Sequence, residues 1–172
     1  LSISPDPAHN DDTLTCIVES DEPDNESVTD SFGWTNTTTG ASLGSSDTLV
    51  LSSATASAGD TIACEAVVTD ISSGSDTETL SITLDNRAPV APTVSVSPDP
   101  AYVTDSILCT ASGGSDADGD SVTWSYGWTV DGTLQSETGD TLSSGFGKGQ
   151  EVICTVTTDD GNGGTDSALA SV

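Results

Sequence analysis

The residues best placed to do chemistry are the carboxylates of one short run, Ser115 to Ser121, which reads SDADGDS. Asp116, Asp118 and Asp120 alternate there, and Gly119 can bend the chain between the last two. Calcium takes about six to eight oxygen ligands, and a glycine-bent loop can turn alternate carboxylates to one side. Three carboxylates alone do not complete that shell. Glu22, Asp24 and Glu26 form the matching triplet earlier in the chain, where glutamates and Pro23 replace part of the pattern. Acidic, glycine-containing runs also make ordinary solvated turns, and both readings stand at this point. Catalysis finds less support. A Ser/His/Asp relay would need His9, the one histidine, and no serine sits in a nucleophile-elbow context. Paired acids serve glycoside hydrolysis, yet these lie on turns with no cleft in prospect, so no enzyme is expected. Asn25-Glu26-Ser27 and Asn36-Thr37-Thr38 fit the N-x-[ST] glycan acceptor, although a Ser- and Thr-rich chain produces such triplets by chance.

The elements that position the acidic run are strands. Ile107, Cys109 and Ala111 alternate with other residues before it, as Leu14, Cys16 and Val18 do before the earlier triplet; period two predicts strands with the cysteines facing a core. After the run, Val122, Trp124, Tyr126 and Trp128 share parity, and so do Val28, Phe32 and Trp34. Asp30 stands where Trp124 stands, so that position is expected at the wet end of the strand. Later strands place Ile62, Cys64, Ala66 and Val68, or Val152, Cys154 and Val156, on the inner face. Leu80, Ile82 and Leu84 are expected inward on the last strand of the first half. LSISPDPA and VSVSPDPA open the two halves, and their prolines, which cannot donate to a ladder, predict a kinked edge strand.

The order Cys16, Trp34, Cys64, repeated as Cys109, Trp128, Cys154, resembles the frame of an immunoglobulin-type sandwich, where a disulfide joins two sheets and a tryptophan packs on it. The resemblance implies an all-β chain of two tandem immunoglobulin-like Greek-key β-sandwiches. It pairs Cys16 with Cys64 and Cys109 with Cys154. The expected organisation is repeat one over 1–86, a stiff Pro-rich linker over 87–93 and repeat two over 94–172. Domains this small bury only about 60% of their unfolded surface. With 33% hydrophobic and 4% aromatic residues, each unit needs a staple, and each disulfide contributes about 4 kcal/mol by the chain-entropy argument. Such cysteines imply an oxidising compartment, extracellular or periplasmic. Zinc would want close Cys-x-x-Cys pairs and more than one histidine.

Charge narrows the partners. The chain carries 28 acidic residues against Arg87 and Lys148, for a net charge of −26. Nothing could neutralise phosphates, so nucleic acid and anionic membrane surfaces are excluded as partners. No apolar run is long enough to span a bilayer. A surface this acidic fits solubility, a saline habitat or divalent cations. Repeat two stops before any equivalent of Leu84, which predicts that the native chain continues.

The repeats resemble the immunoglobulin-like modules strung in tandem in large bacterial and archaeal surface proteins, and the run Tyr126 to Gly132 is similar to PKD-type modules. That resemblance implies secretion to the cell surface or the medium, an extended array and a stalk or adhesive role. The tyrosine often found two residues before the second cysteine is absent, since Ile62 and Val152 stand there, which sets the chain apart from antibody-type domains. In such sandwiches the loops after the second and sixth strands share one end, which would bring Asp159 and Asp160 to the Asp116 run, and Asp70 to the Glu22 run. The segment after Leu84 resembles the calcium-binding linker of cadherins, so Asp85 and Asn86 are expected to complete a calcium site with Asp116, Asp118 and Asp120. Two functions follow. One is a structural module of an extracellular fibre, stalk or filament, whose partners are other copies or neighbouring repeats. The other is an adhesin whose loops recognise a glycan or a cell-surface protein; the scarcity of loop aromatics, Trp124 and Tyr102 alone, favours the first.

Overall fold

A computed structural model describes residues 1–21 and 27–172. The chain divides into two units, residues 1–86 and 87–172. The first contains β1 (Ser2–Ser4), β2 (Thr13–Ile17), β3 (Val28–Asn36), β4 (Ala41–Gly44), β5 (Thr48–Val50), β6 (Thr61–Asp70) and β7 (Ser75–Thr83). The second contains β8 (Pro92–Ser97), β9 (Ile107–Gly113), β10 (Thr123–Val130), β11 (Thr133–Leu134), β12 (Thr141–Leu142), β13 (Val152–Asp159) and β14 (Thr165–Ser171). Each unit is a β-sandwich. In the first, β1-β2-β5 packs on β4-β3-β6-β7; in the second, β8-β9-β12 packs on β11-β10-β13-β14. The strands pair antiparallel throughout both.

The cysteines and tryptophans set the core. Cys16 on β2 bonds Cys64 on β6, and Cys109 on β9 bonds Cys154 on β13, so each disulfide ties one sheet to the other. Trp34 lies opposite Cys64 in the β3–β6 register, and Trp128 opposite Cys154 in the β10–β13 register. Both indoles are buried. Each buried N–H needs an acceptor, and each finds one on a loop carbonyl: Ser46 for Trp34 and Gly139 for Trp128, both at 2.9 Å. Leu14, Ile62 and Leu84 fill out the first core, and Ile107, Leu142, Val152 and Val156 the second. The hairpin from β10 to β11 turns on Asp131 and Gly132, at φ 47° and 77°. Two successive left-handed residues match the right-handed twist of the flanking strands.

Three inward assignments on the strands need correction. Leu80 is 38% exposed, and of its set only Leu84 is buried. Leu80 lies on β7, an edge strand, and β1 on the opposing sheet is only three residues long, too short to cover β7 along its length. Val28 is exposed at the open end of β3, although it shares parity with buried Trp34. Val18 is half-buried and falls just beyond the end of β2. Asp30 and Trp124 are both exposed. The Pro-rich segment from residue 87 lies in the second unit, and β8 begins within it at Pro92. Val90 N–H donates to Ser115 C=O at 2.9 Å, and Ala91 N–H to the Asp166 carboxylate at 3.1 Å. The segment is thus held against its own sandwich. Among the described residues, no helix is long and apolar enough to cross a membrane.

Candidate metal centre

The acidic run connects β9 to β10 and folds on its own first carboxylate. Asp116 Oδ1 accepts the N–H groups of Asp118 and Asp120, at 2.7 and 3.3 Å. An aspartate that bonds backbone amides two and four residues on makes a local turn, and Gly119, at φ 85°, supplies the left-handed residue within it. The result gathers three carboxylates. One oxygen each from Asp116, Asp118 and Asp120 can be chosen so that all lie within 4.8 Å of one another. Asp116 Oδ2 is buried and has no hydrogen-bond donor. Such a cluster can coordinate a divalent cation, because like charges this close need a counterion.

Part of that countercharge is already present. Asp118, 3% exposed, receives the Arg87 backbone N–H on Oδ2 at 2.7 Å. The Arg87 guanidinium meets Oδ1 through Nε at 2.8 Å and Nη2 at 2.7 Å. Nη2 also donates to Ala117 C=O at 3.0 Å. A planar guanidinium suits this forked contact, and charge-assisted bonds of this length are the strong kind. The three carboxylates and one guanidinium leave the cluster negative, with Asp118 neutralised and Asp116 Oδ2 facing no donor.

The neighbouring loop, from β13 to β14, joins the same end of the second unit. Asp160 is buried and its Oδ1 accepts from Asn162 N–H and Gly164 N–H, at 2.7 and 2.9 Å. Asp159 Oδ1 accepts from Gly161 N–H at 2.7 Å. Asn162 then reaches across and donates to Asp120 Oδ2 at 2.8 Å. Asp159 and Asp160 therefore shape their own turn, and the connection to the cluster runs through Asn162. Neither Arg87 nor Asn162 was among the residues singled out from the sequence. The signal for Arg87 was its rarity, as the single arginine of an acidic chain.

Asp85 and Asn86 belong to the first unit, where Asp85 N–H donates to Ala8 C=O at 2.7 Å. Asp70 closes the β6–β7 hairpin by accepting Gly74 N–H on Oδ1 at 2.8 Å. Glu22, Asp24 and Glu26 lie outside the described residues, as does Asn25. Asn36 is fully buried: Nδ2, the atom a glycan would occupy, donates to Asp60 Oδ2 at 2.8 Å, and Oδ1 accepts from Thr38 and Thr39 N–H. In the folded unit Asn36 is a turn-forming core residue with no room for a sugar. His9 donates its backbone N–H to Asp12, 2.7 Å away, so this carboxylate organises a turn as well. No family model matches the chain, and no curated protein matches it.

Proposed function

We propose that the protein is a structural module of an extracellular fibre, stalk or filament, built from two immunoglobulin-like sandwiches and free of catalytic activity. The observation that carries this reading is the duplication. The same seven-strand sandwich, the same disulfide between sheets and the same tryptophan-to-loop bond occur twice in succession. A unit that buries little apolar surface and relies on a disulfide suits an oxidising setting outside the cell. The order of strands in the sheets, with the second and sixth tied by a disulfide, supports immunoglobulin-like Greek-key connections. Calcium is the cation we assign to Asp116, Asp118 and Asp120, since an all-oxygen donor set on a glycine-bent loop is the chemistry that hard ions select.

Electron microscopy of native material, labelled with antibodies raised to this chain, tests the function. Labelled rods or fibres outside the cell are expected. Label confined to dispersed intracellular particles would refute the reading. An adhesin remains the second reading, favoured by Tyr102, which is 69% exposed. Binding of the chain to a glycan array or to intact cells, lost in Tyr102→Ala, would favour it over the first.

A further inference from the structure

The loop from β13 to β14 contains the one Asn-Gly pair of the chain, Asn162-Gly163. Asparagine is a thermolabile side chain, and its lability depends on the backbone nitrogen that follows it. That nitrogen must be free to approach the side-chain Cγ. A β-branched successor obstructs the approach, whereas glycine, with no Cβ and a wide range of backbone angles, does not.

The turn leaves this nitrogen free. Asp160 Oδ1 accepts the N–H groups of Asn162 and Gly164 and passes over the one between them. Asp160 N–H donates to Gly164 C=O at 3.2 Å and closes the turn. Among the described residues, no acceptor meets Gly163 N–H. Gly163 lies at φ 98°, and no heavy atom stands within 4 Å of the place a Cβ would take. Asn162 and Gly163 are both exposed, so water and hydroxide reach them. The bond from Asn162 Nδ2 to Asp120 Oδ2, 2.8 Å long, is exposed as well, and a single exposed bond opens at little cost. Asn36 is the contrast. It is buried against Asp60, and its successor Thr37 is β-branched with its own N–H bonded to Thr61 C=O at 2.8 Å.

We propose that Asn162 is a site of spontaneous deamidation, which places a fourth carboxylate beside Asp116, Asp118 and Asp120. Gly163 N gives its proton to hydroxide and bonds to Asn162 Cγ. The Cγ–Nδ2 bond breaks, and the amide nitrogen leaves as ammonia with a proton from water. The cyclic succinimide then takes up one water. Opening at Cγ gives aspartate at position 162; opening at the main-chain carbonyl gives the isoaspartyl form, with one more carbon in the backbone. Both routes consume water alone, and both exchange the amide donor for a carboxylate. The tie to Asp120 thereby becomes a like-charge contact. The two loops are joined in the new chain and repel each other in the aged one. A divalent cation shared between Asp120 and the new carboxylate would rejoin them, and this last step alone rests on the calcium reading.

The test is peptide mapping by mass spectrometry of the full chain held in warm, mildly alkaline buffer, beside the same chain reduced and unfolded in denaturant. A gain of about 1 Da at Asn162, the exchange of NH2 for OH, is expected in the folded chain at a rate within ~10-fold of the unfolded one. Asn36 should gain nothing while folded. The product made directly, Asn162→Asp, should melt its second unit roughly 4–8 °C lower at low salt, and added salt should recover most of that fall by screening. Asn162→Ser, which loses the tie and adds no charge, should fall less and show no such recovery. The inference is overturned if Asn162 keeps its mass in the folded chain while the unfolded chain loses ammonia there, or if the aspartate and serine variants melt alike at every salt concentration. Calcium should raise the melting of Asn162→Asp more than that of Asn162→Ser. No response to calcium in any chain would refute the metal assignment instead, since the mass and salt readouts do not involve the ion.

Discussion

Replacing Arg87 by alanine removes the cation that neutralises Asp118 and should destabilise the second unit alone. The Asp118 side chain has no exposed surface, and that of Arg87 is 30% exposed. Stripping one partner from a buried ion pair costs about 3–5 kcal/mol, because the other charge stays buried. Two features reduce the loss here. The backbone N–H of residue 87 still donates to Oδ2 in the variant, and the partly exposed guanidinium leaves a gap that water can enter. About 3 kcal/mol remains, which in a unit of this size corresponds to a fall of roughly 12–24 °C in melting temperature. The pair is asymmetric. Asp118→Asn keeps an acceptor for the guanidinium, whose exposed part reaches water, so it should cost about 1–2 kcal/mol. Calorimetric melts of the whole chain resolve the two units if their transitions separate, and amide exchange within β9 and β13 assigns the loss. A cost below ~1 kcal/mol for Arg87→Ala, or one equal to that of Asp118→Asn, would show that the guanidinium is not the counterion of a buried carboxylate.

Calcium titration should give saturable heat that Asp116→Asn weakens and Asp47→Asn leaves unchanged; Arg87→Ala should bind calcium more tightly, since it restores the full negative charge of the cluster, and no heat at millimolar calcium in any of them would refute the metal assignment. Trp128→Ala should cost ~3–5 kcal/mol, as for a large core aromatic, and denaturant melts that register less than ~1 kcal/mol would remove it from the core. Asn36→Asp places a second carboxylate against Asp60 in a buried turn and should cost ~1–3 kcal/mol in the first unit, while mass spectrometry of native protein should find no glycan at Asn36. Reduction of both disulfides should lower stability by ~2–5 kcal/mol per unit; unchanged melts under reductant would contradict their role as the staples of small cores.

Period-two alternation around Cys16, Cys64, Cys109 and Cys154 was enough to place the strands and the core, because a strand with one buried face must write that face into every second residue. The paired recurrence of cysteine and tryptophan was likewise enough to divide the chain in two and to resemble a sandwich. Alternation failed where burial depends on what covers a strand: Leu80 and Val28 have the right parity, yet one lies at a poorly covered edge and the other at an open end. The acidic run was legible as a cluster, since its geometry is made by its own backbone amides bonding to Asp116. Its electrostatics were not, because Arg87 lies 31 residues before Asp118 in the chain and only the fold brings the guanidinium to that carboxylate. Asn36 shows the same division. The triplet it opens is visible in the sequence, but its burial against Asp60 is decided by the pairing of β3 with β6, a long-range contact that no local pattern encodes.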